Sequence, residues 1–254
     1  MDEELKKKLK YIRLPNLLAN WNNYLEMAAN SNFSRAQLLT WIVEQEYKIR
    51  LENARKFRLR QAKIPQPLLM ETFPFNQQPA LNKKKILALY DSFEFIAKKE
   101  SLTLIGPTGV GKTGLATAFL IQAINNGYSG HFITFPELVE RLYKAVADHC
   151  EQKVIKTFAA YDCLLIDEIG YVEVEPVQVG LFFTLMNNRH KRKSSLLTTN
   201  LGFSEWVSFL KNDQLTAALI DRLTESSHII NMKKCVSLRP KLEQVQKASA
   251  QQPT

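Results

Sequence analysis

Among its 254 residues, the sequence has only three cysteines and four histidines. The cysteines, Cys150, Cys163 and Cys235, show no C-x-x-C spacing. They therefore predict free thiols in a reducing compartment rather than a disulfide frame or a zinc site. The first hundred residues contain neither cysteine nor histidine, which argues against a zinc module there.

Long hydrophobic runs are also missing. No apolar stretch approaches the roughly eighteen residues that a membrane span needs, and residues 1–6 lack the apolar core of a signal peptide. We therefore expect a cytoplasmic protein without a membrane partner. The length suffices for one α/β core and a small accessory domain.

One glycine-rich segment follows an apolar run at residues 102–105 and precedes a helical pattern. It fits the phosphate-binding motif G-x-x-x-x-G-K-[ST] at every fixed position. Backbone N–H groups of such a loop, together with the helix N-terminus behind it, bind phosphate groups. We expect ATP and Mg²⁺ as cofactors, with Lys112 on the β- and γ-phosphates and Thr113 on the metal. The predicted nucleotide-binding residues are Gly106, Pro107, Thr108, Gly109, Val110, Gly111, Lys112 and Thr113.

A second apolar run, residues 163–166, ends in two acids, Asp167 and Glu168. A buried strand that ends in paired carboxylates is the Walker B arrangement. We expect Asp167 to hold Mg²⁺ and Glu168 to act as the general base on the attacking water. Adjacent residues of a strand point to opposite faces, so the two acids can serve different roles.

The positive charge is concentrated near the N-terminus. The net charge is +9, and residues 1–63 hold thirteen Lys and Arg against seven Asp and Glu. Such a stretch attracts phosphate backbones without reading sequence, although a solvated helix face has the same composition. In residues 48–63 only Glu52 opposes the candidate DNA-binding residues, which are Lys48, Arg50, Arg55, Lys56, Arg58, Arg60 and Lys63.

Apolar periodicity predicts an organisation in several parts. Residues 1–63 are predicted to be helical, with Ser34 and Gln37 forming a capping box before a helix of nearly thirty residues. Residues 64–82 form a linker with four prolines, and residues 83–99 a helix. Alternating patterns then predict a parallel sheet with helices on both faces. Its predicted strands are residues 102–105, 131–134, 163–167, 195–199 and 228–232.

Three further segments resemble AAA+ ATPases. Residues 195–200 resemble the sensor-1 strand, whose terminal Asn200 would help to place the water. Residues 219–223 resemble the box VII segment, in which Arg222 would be an arginine finger that acts in a neighbouring subunit. Arg239 lies where helicase loaders of the DnaC kind carry sensor 2. The resemblance thus adds Asn200, Arg222 and Arg239 to Glu168 as catalytic residues.

The resemblance is closer to the IstB-like family, the helper ATPases of bacterial insertion sequences. It rests on residues 164–171, 199–206 and 217–223 and extends from about residue 9 to residue 240. Three positions depart from the family pattern without removing a catalytic group, namely Thr108, Val110 and Gly202.

The resemblance implies an α/β fold with an AAA+ P-loop core. Its five-stranded parallel sheet has the order 5-1-4-3-2, a small all-helical domain precedes it, and the helical lid is reduced or absent. The implied parts are a basic DNA-binding and assembly domain (1–63), a linker (64–82), the ATPase core (83–240) and a polar tail (241–254).

The implied function is a DNA-binding ATPase that assembles on duplex DNA with ATP, as a homo-oligomer, and assists a partner transposase. A replicative helicase loader of the DnaC or DnaI kind is the alternative among ATPases. A small-molecule phosphotransferase is the alternative from another class.

Overall fold

A computed structural model describes residues 1–31 and 33–239. The chain divides into two compact units, residues 1–58 and the chain from residue 59 onward. The predicted boundaries after residues 63 and 82 stay predictions.

The first unit is helical, as predicted. Its helices are α1 (Glu3–Tyr11), α2 (Pro15–Ala19), α3 (Trp21–Asn30) and α4 (Arg35–Gln61), whose last residues belong to the second unit. The predicted capping box before α4 is confirmed. The Ser34 N–H donates to Gln37 Oε1 at 2.8 Å, and the Gln37 N–H donates to Ser34 Oγ at 3.3 Å. These two bonds satisfy backbone donors that the first helical turn leaves without partners.

The second unit contains a five-stranded sheet, all of whose neighbouring strands are parallel. The sheet order is β2-β3-β4-β1-β5, which confirms the predicted order 5-1-4-3-2 and the AAA+ fold. The strands are β1 (Ser101–Ile105), β2 (Gly130–Thr134), β3 (Cys163–Ile169), β4 (Ser194–Thr199) and β5 (Ser227–Asn231).

Helices cover both faces of the sheet. Alternate strand residues belong to different hydrophobic clusters: Leu165 and Leu196 pack with the helix after β1, whereas Leu164 and Leu197 pack with the helices that flank β3. The helices are α5 (Lys83–Ser92), α6 (Glu94–Ala97), α7 (Lys112–Asn125), α8 (Phe135–Ala147), α9 (Glu151–Ala160), α10 (Pro176–Arg189), α11 (Trp206–Leu210) and α12 (Asp213–Glu225).

The prediction of one helix over residues 83–99 is wrong. Phe93 has φ 55° and separates α5 from α6, because a left-handed residue cannot continue a right-handed helix. The aromatic ring of Phe93 packs against Phe95 and Tyr128, with ring centroids 5.8 and 5.6 Å apart. Packing of this ring therefore overrides the helical pattern, which no glycine or proline interrupts.

The described residues that follow β5, 232–239, form no helix. The predicted polar tail, 241–254, lies outside the described residues, and so does Pro240. Within residues 1–31 and 33–239, no helix has both the length and the apolar character needed to cross a membrane.

A buried arginine joins the edges of several elements in the second unit. Arg189, the last residue of α10, is 1% exposed. Its guanidinium donates to the carbonyls of Phe158 and Tyr161 at 2.9 and 2.8 Å and to Ser195 Oγ at 2.9 Å. Burial lowers the pKa of Arg189 to about 10. The side chain thus satisfies backbone acceptors that would otherwise be buried without donors.

We expect Arg189→Met to lower the free energy of unfolding by about 3 kcal/mol or more, because several buried acceptors lose their donor. Urea unfolding of the variant measures this loss. The control is Arg141→Met on α8, which removes an exposed ion pair with Glu137 and should cost less than about 1 kcal/mol. Equal costs for the two variants would contradict this role of Arg189.

Candidate nucleotide site

The glycine-rich loop connects β1 to α7, at the edge of the sheet where the strands end. Gly109 and Gly111 have φ 85° and 95°, a conformation that glycine adopts without strain. Gly106 has a different constraint, since a Cβ there would lie 2.9 Å from the backbone of Met232. The loop therefore needs its glycines for close packing as well as for left-handed backbone, and it ends at the N-terminus of α7, where phosphate binds readily.

Lys112 lies folded into the loop and is 6% exposed. Its Nζ donates to the carbonyl oxygens of Gly106 and Pro107 at 2.7 and 2.8 Å. Burial lowers the pKa of Lys112, and the nearby Asp167 carboxylate opposes that shift. The ammonium group is thus held inside the loop that is predicted to bind phosphate.

Thr113 and Asp167 are adjacent, as the sequence predicts. Thr113 Oγ1 lies 3.0 Å from both carboxylate oxygens of Asp167, and the hydroxyl of Thr198 also donates to that carboxylate. Burial raises the pKa of Asp167, while the hydrogen bonds from Thr198 and Thr113 oppose the increase.

These oxygens fit Mg²⁺. The ion is commonly bound by one or two protein oxygens together with substrate phosphates and water. The described part of the chain contains no group of three or more His, Cys, Asp or Glu side chains that could hold a metal ion alone. A hydroxyl beside a buried carboxylate therefore suits a metal that arrives with a nucleotide.

Glu168 lies at an irregularity of β3. The register between β3 and β4 shifts between Ile166 and Ile169, and Glu168 has φ 62°. Its N–H donates to Thr198 Oγ1 at 3.1 Å. This bulge leaves the carboxylate of Glu168 exposed while Asp167 stays buried, so the two acids have different surroundings.

One cavity of about 300 Å³ lies over the loop. It brings together five of the eight predicted phosphate-loop residues, Glu168 from β3 and Arg239 from the segment after β5, whereas Gly106, Pro107, Val110 and Asp167 do not line it. Two of its residues, Tyr171 and Thr198, have no role predicted from the sequence. Tyr171 lies three residues after Glu168, and its OH lies 3.0 Å from Thr108 Oγ1. The lining residues are Thr108, Gly109, Gly111, Lys112, Thr113, Glu168, Tyr171, Thr198 and Arg239.

Asn200 and Arg222 do not line this cavity. Asn200 follows β4, and its buried Oδ1 has no hydrogen-bond partner among the described residues. Arg222, on α12, donates from Nε to Asn187 Oδ1 at 3.0 Å and from Nη1 to the Ala218 carbonyl at 2.7 Å. Its guanidinium lies 5.1 Å from the ring centroid of Phe183. Arg222 is therefore held on the α10–α12 surface.

The basic residues of the predicted DNA-binding stretch have unequal surroundings. The guanidinium of Arg55 donates to both carboxylate oxygens of Glu52 at 2.8 and 2.9 Å, and Lys56 Nζ lies 3.6 Å from the same carboxylate. Arg50 donates to the carbonyl of Arg13, two residues after α1. Arg58 is half-buried. The other candidates are exposed, namely Lys48, Arg60 and Lys63.

Residues 7–246 match a family model described as IstB-like ATP binding protein. A protein of Pseudomonas aeruginosa, named as an ATP-binding protein of insertion sequence IS21, is 31% identical over 91% of this chain and 86% of its own length. A protein of Bacillus thuringiensis subsp. berliner, named in the same way for insertion sequence IS232, is 29% identical over 91% and 92%.

Solved structures share the fold. The DnaC helicase loader matches with a TM-score of 0.51 and 25% identity over 59% of this chain and 88% of that one. DnaI matches with a TM-score of 0.52 and 20% identity over 59% and 85%.

Proposed function

The chain belongs to the IstB-like family of ATP-binding proteins, and from that premise we propose that it hydrolyses ATP with Mg²⁺, assembles on duplex DNA and assists a transposase. The observation that carries the proposal is the cavity in which Lys112, Thr113, Glu168 and Arg239 meet, with Asp167 bonded to Thr113. A cytoplasmic location is part of the same proposal.

In this mechanism the loop N–H groups bind the triphosphate, and Lys112 moves from the loop carbonyls to the β- and γ-phosphates. Thr113 and Asp167 would hold Mg²⁺, which when bound neutralises charge on the phosphate oxygens. Glu168 accepts a proton from the attacking water at its exposed carboxylate. Arg239 binds phosphate oxygens. Asn200, whose buried Oδ1 lies outside the cavity lining, would have to turn toward the cavity to orient that water.

Each site in this proposal is completed by Arg222 of a neighbouring subunit. Arg222 lies outside the cavity of its own subunit and reaches the γ-phosphate in the neighbouring one. The bound nucleotide then bridges two copies of the chain, so that hydrolysis removes the group that Arg222 contacts and loosens the homo-oligomer. The basic stretch of residues 48–63 binds the DNA on which the oligomer assembles.

ATP turnover with and without plain duplex DNA tests this function. We expect turnover to require Mg²⁺ and to rise with DNA. Turnover that is indifferent to DNA would favour the phosphotransferase alternative. The helicase loader alternative is supported by the likeness to the DnaC helicase loader, and capture of a replicative helicase rather than a transposase in a pull-down would favour it.

Replacing Lys48, Arg60 and Lys63 by Gln should weaken binding to all duplex sequences about equally, because contacts to phosphate do not depend on the base sequence. The slope of log affinity against log salt should flatten by about 0.9 per lost contact, so by up to about 3 in the triple variant. Titrations at several salt concentrations measure the slope.

A matched control removes the same charge elsewhere, from the exposed Lys144, Lys153 and Lys156 on α8 and α9. Its salt slope should equal that of the wild type. The alternative, a solvated helix face, predicts that neither triple variant alters the slope, and that result would remove the stretch from the DNA-binding surface.

A further inference from the structure

The segment that carries Arg239 crosses the phosphate loop without secondary structure of its own. The Leu238 N–H donates to the Gly109 carbonyl at 2.8 Å. A Cβ at Gly109 would lie 2.6 Å from Ser237 Oγ, and a Cβ at Gly111 would lie 3.1 Å from Leu238 Cδ1. The segment is thus packed directly on the loop, yet Val236, Ser237 and Arg239 are exposed. Such a segment needs an anchor to stay in place.

Gln78 supplies that anchor from the linker before the core. Its side chain is fully buried. The amide accepts from the Val236 N–H at 3.0 Å and donates to the Val236 carbonyl at 2.7 Å. It also donates to the Val110 carbonyl at 3.2 Å. Both polar groups of Val236 are therefore paired with one side chain, whose other N–H binds the phosphate loop itself.

We infer that Gln78 is a positioning residue of the nucleotide site. Its amide fixes Val236 to the phosphate loop and so places the guanidinium of Arg239, three residues further on, in the nucleotide cavity. This inference rests on the proposed function in one respect, that Arg239 binds the phosphates of ATP. A guanidinium that is already in place loses little freedom when ATP binds, whereas one on a loose segment must be ordered first.

A buried glutamine that contributes only to stability is the competing explanation, and Gln122 offers the matched control. Its side-chain amide also joins two elements of the second unit, since it donates from α7 to the Tyr90 carbonyl on α5. Gln122 does not line the nucleotide cavity. Replacing either residue by Met keeps the side-chain length and removes the hydrogen bonds. Gln122 is half-buried and donates one such bond, whereas Gln78 makes three. Gln122→Met therefore controls for the loss of an internal amide away from the nucleotide site.

A double-mutant cycle in affinity for ATP with Mg²⁺ tests the inference. Arg239→Ala should weaken binding by about tenfold in the wild type and in Gln122→Met, as loss of a charged hydrogen bond does. In Gln78→Met the same change should cost less than about twofold, because the guanidinium is already misplaced. A tenfold loss of affinity in both the wild type and Gln78→Met would show that Gln78 does not act through Arg239 and would overturn the inference. No loss of affinity when Arg239 is replaced in the wild type would also overturn it.

Amide hydrogen exchange without nucleotide measures the anchor directly. The amides of Val236 and Leu238 should exchange faster in Gln78→Met than in the wild type. In Arg239→Ala and Gln122→Met they should exchange at the wild-type rate. Exchange at the wild-type rate in Gln78→Met would overturn the inference. Gln78→Glu is a second variant if the Met protein does not fold, since its carboxylate cannot donate to the two carbonyls. A wild type that binds ATP without hydrolysing it would refute the proposed function and leave both measurements valid.

Discussion

Replacing Arg222 by alanine is expected to lower ATP turnover by roughly 10³–10⁵, the contribution that arginine fingers make to the rate. An isolated subunit should still bind ATP, because Lys112 and Thr113 line its own cavity and Arg222 does not. Steady-state turnover on duplex DNA, together with nucleotide affinity of the unassembled protein, separates the two effects. Arg222→Lys should also fail to restore full turnover, since an ammonium group lacks the planar set of donors.

Mixing variants tests whether Arg222 acts in a neighbouring subunit. A Lys112→Ala subunit has a defective site and an intact Arg222, so its mixture with Arg222→Ala should regain part of the lost activity at their hybrid interfaces. Arg141→Ala, which alters a half-buried arginine on α8 that does not line the cavity, is the control and should keep near-normal turnover. Failure of every mixing ratio to restore activity would remove the support for action between subunits.

The local surroundings of Arg222 add a condition to this prediction. Its guanidinium is bonded to Asn187 and Ala218 and lies over the ring of Phe183. Asn187→Ala should therefore change turnover much less than Arg222→Ala, because Asn187 orients the guanidinium without supplying the charge.

The sheet and the phosphate loop could be predicted because each is encoded in a short segment. The five strands are apolar runs between polar turns. Each strand begins within one residue of its predicted first residue. The loop needs glycines at fixed spacing, and those glycines do adopt the left-handed backbone or lie against Met232. The order of the strands came from the family resemblance, since alternation of strands and helices does not determine it.

Features that depend on distant residues could not be predicted in this way. Gln78 and Val236 are 158 residues apart in sequence, so no local pattern indicates their contact. The buried Arg189 resembled any surface arginine at the end of a helix, and only the folded arrangement shows carbonyls around it. Phe93 was missed for the same reason, because its left-handed backbone follows from the packing of its ring.

Replacing Glu168 by glutamine should preserve ATP binding and lower turnover by at least about a hundredfold, the smaller value that general bases contribute. Glutamine keeps the size of the side chain but cannot accept the proton of the attacking water. Because the backbone N–H of residue 168 bonds to Thr198, the bulge that exposes this side chain does not depend on its carboxylate. Nucleotide affinity and steady-state turnover measure the two effects separately.

The same variant should keep the oligomer on DNA, since the γ-phosphate that Arg222 contacts is no longer removed. Glu173→Gln is the control, because Glu173 lies shortly after β3, is exposed and does not line the cavity; its turnover should match the wild type. Asp167→Asn should lower the affinity for Mg²⁺, an effect that neither Glu168→Gln nor Glu173→Gln should have. Near-normal hydrolysis by Glu168→Gln would show that another group accepts the proton, whereas persistent assembly without turnover would tie disassembly to hydrolysis rather than to nucleotide binding.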